Sequence, residues 1–192
     1  MTYFSLDCEA SGPLAPLYNL LSVGITVVRP DNDRHVVGES FYVELKPIFP
    51  GFDAEALEVC GLDVDRLRAE GEEPEKAMRR IRRWVLERNR PSKDRPIFVG
   101  HNAVFDWAYI DYYFAHFEIS NPFGYKGIDT KSLAMGRLGI TWNETSKESL
   151  ERILNLPPQD PARIHRADYD AEYQALILQR LLDRPPGKPL PA

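Results

Sequence analysis

Asp7 and Glu9 stand inside the first apolar run of the chain, Tyr3-Phe4-Ser5-Leu6-Asp7-Cys8-Glu9, and constrain the fold more than any other feature. The run reads as a buried strand. Side chains two apart in a strand share a face, so Asp7 and Glu9 point one way and Cys8 points the other, toward a core. Two carboxylates on one face repel each other and resist desolvation unless something positive lies between them. A hard divalent cation such as Mg²⁺, which takes oxygen ligands, meets that need. A strand end where both acids are solvated meets it equally well, and this motif alone leaves both readings open.

The surrounding pattern places that strand. Strands are expected at 2–9, 20–29 and 35–45, an antiparallel meander turning at Pro30-Asp31-Asn32-Asp33. Pro47 and Pro50 break the chain, and helices follow at 53–60, 63–69 and 75–89. A buried strand at 96–99, a helix at 103–117, a strand at 125–129 and helices at 130–138, 147–154 and 167–182 complete the series. Strands followed by alternating helices indicate a mixed α/β sheet. The chain has 192 residues and 43% hydrophobic content, enough for one domain with a real core, taken here as 1–183. The tail 184–192, with Arg184-Pro185-Pro186-Gly187-Lys188-Pro189, cannot continue a helix and is expected to be extended or disordered.

Two further motifs carry acids. In Gly100-His101-Asn102-Ala103-Val104-Phe105-Asp106 an apolar run ends at Gly100, and a helix is expected to start near Asn102, a good N-cap residue. Val104, Trp107, Ala108 and Ile110 supply its apolar stripe, with Asp111 outside it. Asp106 then sits early in that helix, where the backbone dipole favours an anion with or without a metal. The last motif is Ile164-His165-Arg166-Ala167-Asp168-Tyr169-Asp170. Five residues of continuous helix turn roughly 500°, so His165 and Asp170 share a site only if His165 lies in the loop before the helix. Asp168 competes with Asp170, or else serves as an exposed acid at the helix start.

In this order the three motifs resemble the DEDDh group of 3′–5′ exonucleases, whose members include RNase T, oligoribonuclease and the proofreading subunit of bacterial DNA polymerase III. The pattern is Asp-x-Glu on the first strand, Gly-His-Asn-x-x-Phe-Asp at a later helix, and His-x-x-x-x-Asp on the last one. Asp129-Thr130-Lys131-Ser132-Leu133-Ala134 and Ser149-Leu150-Glu151-Arg152-Ile153-Leu154 match secondary landmarks, and the resemblance covers roughly residues 2 to 182. It implies a ribonuclease H-like mixed β-sheet flanked by α-helices, and hydrolysis of single-stranded RNA or DNA from the 3′ end. It also implies two divalent ions, Mg²⁺ or Mn²⁺, held by Asp7, Glu9, Asp106 and Asp170, with Asp7 shared between them and His165 as general base. Ala10, Ser11, Gly12, His101 and Asn102 are the substrate-binding candidates. The chain departs from the pattern at Ala10-Ser11, where members often show Thr-Thr or Met-Thr, and at Ser22, where an acid is common. Members of the RNase T and oligoribonuclease type work as dimers, which makes a homodimer an expectation here.

Composition sets bounds. No stretch of 18 apolar residues spans a membrane, no secretion signal is evident, and Cys8 and Cys60 read as reduced thiols of a cytoplasmic protein. No Cys or His cluster has zinc-ligand spacing. Net charge is −5, and two divalent ions would leave about −1, which suits capture of a short strand end rather than coating of long polyanions. Lys76, Arg79, Arg80, Arg82, Arg83, Arg88 and Arg90 line one helix, as a solvated face or a nucleic-acid guide. Phe105, Trp107 and Tyr109 are candidates to stack an unpaired base, with a core role the stronger reading for Trp107. A retired nuclease fold that only binds would have lost a ligand, and a purely structural domain gives no reason for the histidine spacing.

Overall fold

Alternation along the first strand sets the layers of the molecule. The computed structural model describes residues 1–90 and 92–185. Strand β1 (Tyr3–Ala10) pairs antiparallel with β2 (Leu20–Asp31), which pairs antiparallel with β3 (Arg34–Glu44). On its other side β1 runs parallel to β4 (Ile97–Gly100), and β4 to β5 (Gly127–Asp129), giving the order β3-β2-β1-β4-β5. Helices α1 (Ala54–Cys60), α2 (Val64–Glu70) and α3 (Pro74–Asn89) follow β3. Helix α4 (Val104–His116) follows β4, and α5 (Thr130–Leu138), α6 (Lys147–Leu154) and α7 (Ala167–Asp183) close the chain.

Phe4, Leu6 and Cys8 of β1 enter the main core with Ala77, Met78, Ile81 and Val85 of α3 and Tyr109, Ile110, Tyr113 and Phe114 of α4. Tyr3 packs on the other face with Ala175 and Leu178 of α7. Asp7 and Glu9 share that second face, as the period of two requires. Helix α7 approaches the sheet closely because position 24, opposite Asp7 in the β1–β2 register, is glycine. A Cβ there would lie 2.0 Å from the carbonyl oxygen of Ala167, so any side chain would lift the start of α7 off the sheet.

The expected elements match the observed ones to within about two residues, the margin at which helix and strand ends are ordinarily defined. Four details differ. Pro30 and Asp31 stay in β2, and the chain reverses at Asn32-Asp33 with Asn32 in the left-handed region (φ 53°), which asparagine tolerates. Helix α4 is not capped by Asn102: Ala103 takes the cap position with no side-chain bond, and Asn102 has φ 66°. The carboxylate of Asp129, at the end of β5, instead accepts from the backbone N–H groups of Asn102 (2.9 Å) and Ala103 (3.2 Å). The inward side of α4 is Tyr109, Ile110, Tyr113 and Phe114, while Val104 and Ala108 face outward. A 3₁₀ turn at Trp142–Glu144 precedes α6.

Most arginines of α3 are engaged locally. Arg79 pairs with Glu75, Arg80 with Glu72, and Arg82 donates to the Ser120 carbonyl, while the Arg88 guanidinium lies over the Trp84 ring. No helix among the described residues is long and apolar enough to cross a membrane. The expectation for the tail falls, from residue 186 onward, outside the described residues.

Candidate active site

The site forms where β1 and β4 part. Their pairing covers only Tyr3–Ser5 against Ile97–Val99, so beyond Ser5 the β4-side edge of β1 is open. The Cys8 backbone N–H on that edge donates to Asp106 Oδ1 at 2.9 Å. Asp106 reaches it because a short turn at 101–103 brings the start of α4 against Gly100, where a Cβ would press to 2.9 Å from Ala103 Cα and 3.3 Å from Asp106 Oδ2. Crevices outside the carboxyl ends of diverging strands are the usual ligand sites of open α/β sheets.

Asp7, Glu9, Asp106, Asp170 and His165 line one cleft of about 160 Å³, together with His101, Asn102, Phe105, Cys8 and Lys147. Carboxylate oxygens of Asp7, Glu9 and Asp170 lie within 4.8 Å of one another. Asp170 is in the first turn of α7, with its backbone N–H bonded to the Arg166 carbonyl at 2.8 Å. His165 lies in the preceding loop with φ 63°, and its backbone N–H donates to Asp170 Oδ2 at 2.8 Å. Histidine and acid thus share the cleft through the loop-then-helix arrangement their spacing requires. Asp168 pairs instead with Arg166 at 3.0 Å and does not line the cleft.

The electrostatics are those of crowded, desolvated acids. Burial pushes the Asp7 carboxyl up to about 7; Lys147 pulls against this, and the charge of Asp170 adds to it. Burial, then the charges of Asp7 and Asp170, pushes Glu9 up to about 9. Asp106 is only 4% exposed, and burial with the Asp7 charge raises it well above the carboxylate range. That depth goes beyond what helix-dipole stabilisation of an exposed first-turn acid would ask for. Such a donor set, all oxygen and short of positive charge, fits a hard divalent cation. Burial raises the Cys8 thiol as well, which leaves it an inert core group. His101 is held down to about 4 by burial and by the ammonium groups of Lys147 and Lys131, so its ring is neutral.

The other candidates are placed as follows. Ser11 is fully buried, its hydroxyl donating to the Gly51 carbonyl (2.8 Å) and accepting from the Asn19 N–H (2.8 Å). Its side chain pins the 11–19 loop rather than facing outward. Ala10 and Gly12 line an adjoining groove of about 490 Å³ with Glu9, Phe105, Ala56 and Val59. Of the three aromatics, Phe105 borders both spaces. Tyr109 is buried with its hydroxyl donating to the Gly12 carbonyl at 2.6 Å, and Trp107 packs edge-on against Phe98.

Two residues of the site escaped the sequence reading. Gln174 is fully buried and donates through Nε2 to Asp7 Oδ1 at 2.5 Å. Its signal was present, since it lies four residues beyond Asp170 on the same helix face. Lys147 bonds Asp170 Oδ1 and stands 3.9 Å from Asp7 Oδ1. Its only hint was a cation at the first position of a helix, the end where the dipole disfavours one.

No family model matches the chain. A 3′-5′ DNA exonuclease of Escherichia coli, Cap18, is 33% identical over 182 residues, 95% of this chain and 91% of that protein. Among solved structures, the nuclease domain of 3′hExo, a DEDDh family member bound to rAMP, superposes with TM-score 0.76 at 12% identity, covering 94% of this chain and 91% of that one. E. coli exonuclease I in complex with an oligonucleotide superposes with TM-score 0.69 at 20% identity, covering 95% of this chain and 40% of that larger one. These two likenesses bear on the fold, a ribonuclease H-like α/β sheet.

Proposed function

Because the chain belongs to the DEDDh-type 3′–5′ exonuclease family, we propose that it hydrolyses the terminal phosphodiester bond of single-stranded nucleic acid, releasing nucleoside 5′-monophosphates from the 3′ end. The observation that carries this reading is the meeting of Asp7, Glu9, Asp106, Asp170 and His165 in one cleft. DNA is the substrate placed first, because the 33% identical relative is by name a DNA exonuclease.

Asp7, Glu9 and Asp170 would hold one divalent ion and Asp7 with Asp106 a second, Mg²⁺ or Mn²⁺. Bound there, the ions would supply charge for the developing oxyanions and lower the pKa of a coordinated water. The work of the protein groups follows from their positions. His165, at the mouth of the cleft on a loop, accepts the proton of the attacking water as the bond to the 3′ oxygen of the penultimate nucleotide breaks. The Cys8 N–H and Gln174 Nε2 fix the rotamers of Asp106 and Asp7, so the remaining oxygens are presented without rearrangement. The groove beside Glu9, walled by Phe105, Ala56 and Val59, has room for the terminal nucleotide beside Ala10 and Gly12, with His101 and Asn102 in the adjoining cleft where the scissile phosphate would lie.

A denaturing-gel time course on matched 5′-labelled single-stranded DNA and RNA, with Mg²⁺ or Mn²⁺, tests the proposal. The expected result is a ladder shortening from the 3′ end, abolished by chelator and slowed by about 10²–10⁴-fold in His165→Ala, the usual contribution of a general base. Internal cleavage, or a ladder indifferent to chelator, would overturn it.

A further inference from the structure

Trp142 is an exposed indole that neither the core nor the cleft accounts for. It is 47% exposed and heads the 3₁₀ turn between α5 and α6. The turn is held firmly. Glu144 accepts from the Thr141 N–H (2.9 Å) and hydroxyl (2.7 Å), and the buried Thr145 hydroxyl donates to the Trp142 carbonyl at 2.6 Å. The Lys131 ammonium lies 4.2 Å from the indole ring centre.

Both neighbours of this pair lead to the cleft wall. Lys131 directly follows Thr130, whose hydroxyl is 2.8 Å from His101 Nδ1 and donates to the Gly100 carbonyl. Five residues after Trp142 the chain reaches Lys147, in contact with Asp170. The Lys131 charge acts on the His101 ring of the cleft, so the indole beside that ammonium lies toward the His101 side, whereas the groove for the terminal nucleotide lies on the Glu9 side. A flat aromatic face on a fixed turn, joined to a cation, complements a nucleobase and the phosphate attached to it. Base–aromatic stacking of this kind tolerates any sequence, as an enzyme that consumes a strand nucleotide by nucleotide requires.

We propose that Trp142, backed by Lys131, is a stacking platform for an unpaired base of the substrate strand on the 5′ side of the scissile phosphate. The proposal rests on the nuclease reading, and its test separates the two. In Trp142→Ala, the KM for a twelve-nucleotide single strand should rise about tenfold, with Trp142→Phe retaining most of the wild-type value. The KM for the p-nitrophenyl ester of thymidine 5′-monophosphate, which has no upstream base, should move less than about twofold. Titration of the strand should quench tryptophan fluorescence in the wild type, and that quench should vanish in Trp142→Phe. An unchanged KM for the strand in Trp142→Ala would overturn the platform. Should the wild type hydrolyse neither substrate, the nuclease reading fails, and the quench alone decides: its loss in Trp142→Phe supports the platform, and its persistence overturns it.

Discussion

Asp7→Asn should lose at least about three orders of magnitude in turnover, or ~4 kcal/mol of transition-state stabilisation, while its melting temperature in chelator does not fall. The substitution keeps the size of the side chain and an oxygen to accept the Gln174 amide, so the contact at 2.5 Å survives. It removes the one carboxylate assigned to both ions, and with it the negative charge that makes the site attractive to them. It also relieves a group whose ionisation burial opposes, beside Glu9 and Asp170. Loss of function without loss of stability separates a metal ligand from a packing residue, because residues kept for packing destabilise the fold when altered. Full activity in a preparation of Asp7→Asn free of other nucleases would contradict the assignment.

The second large effect concerns pH and metal together. Asp7 at about 7 and Glu9 at about 9 both titrate above their unfolded values of 3.8 and 4.5. Between those limits the folded, metal-free chain holds protons that the unfolded chain has released. The stability this provides is complete below about pH 4 and is lost as pH rises through 7 and then 9. Metal-free protein should therefore melt at progressively lower temperature from pH 5 to pH 9. Divalent ions bind the ionised carboxylates, so the rise in melting temperature on adding Mn²⁺ should grow over the same range. Differential scanning calorimetry at several pH values, with chelator and with Mn²⁺, measures both trends. A metal-free stability that rises with pH would show that the acids are not desolvated as described.

Local periodicity made much of this molecule legible in its sequence. Alternation along Tyr3–Glu9 gave the shared face of Asp7 and Glu9, and the rotation per helical residue required a loop position for His165 if it was to meet Asp170, which is the arrangement found. What escaped was decided by partners distant in sequence. Asn102 has the right chemistry for an N-cap, but Asp129 arrives from β5 and takes the backbone donors instead. Ser11 lies just after the first acidic motif and is a substrate-binding candidate from sequence, yet Asn19 and Gly51 claim its hydroxyl. Phe105 and Tyr109 are four apart on one helix, and only the position of the Gly12 carbonyl shows which of them is tied into the core. Lys147 enters the site from 140 positions beyond Asp7, through the packing of α6 against α7, and no local pattern encodes that approach.

Anomalous diffraction from crystals of the protein soaked in Mn²⁺ would locate the ions among the four carboxylates. A peak is expected within coordinating distance of Asp7, Glu9 and Asp170, a second between Asp7 and Asp106, and loss of both in Asp7→Asn. Well-ordered density for these four carboxylates with no manganese among them at saturating concentration, or manganese bound only elsewhere, would contradict the two-ion assignment.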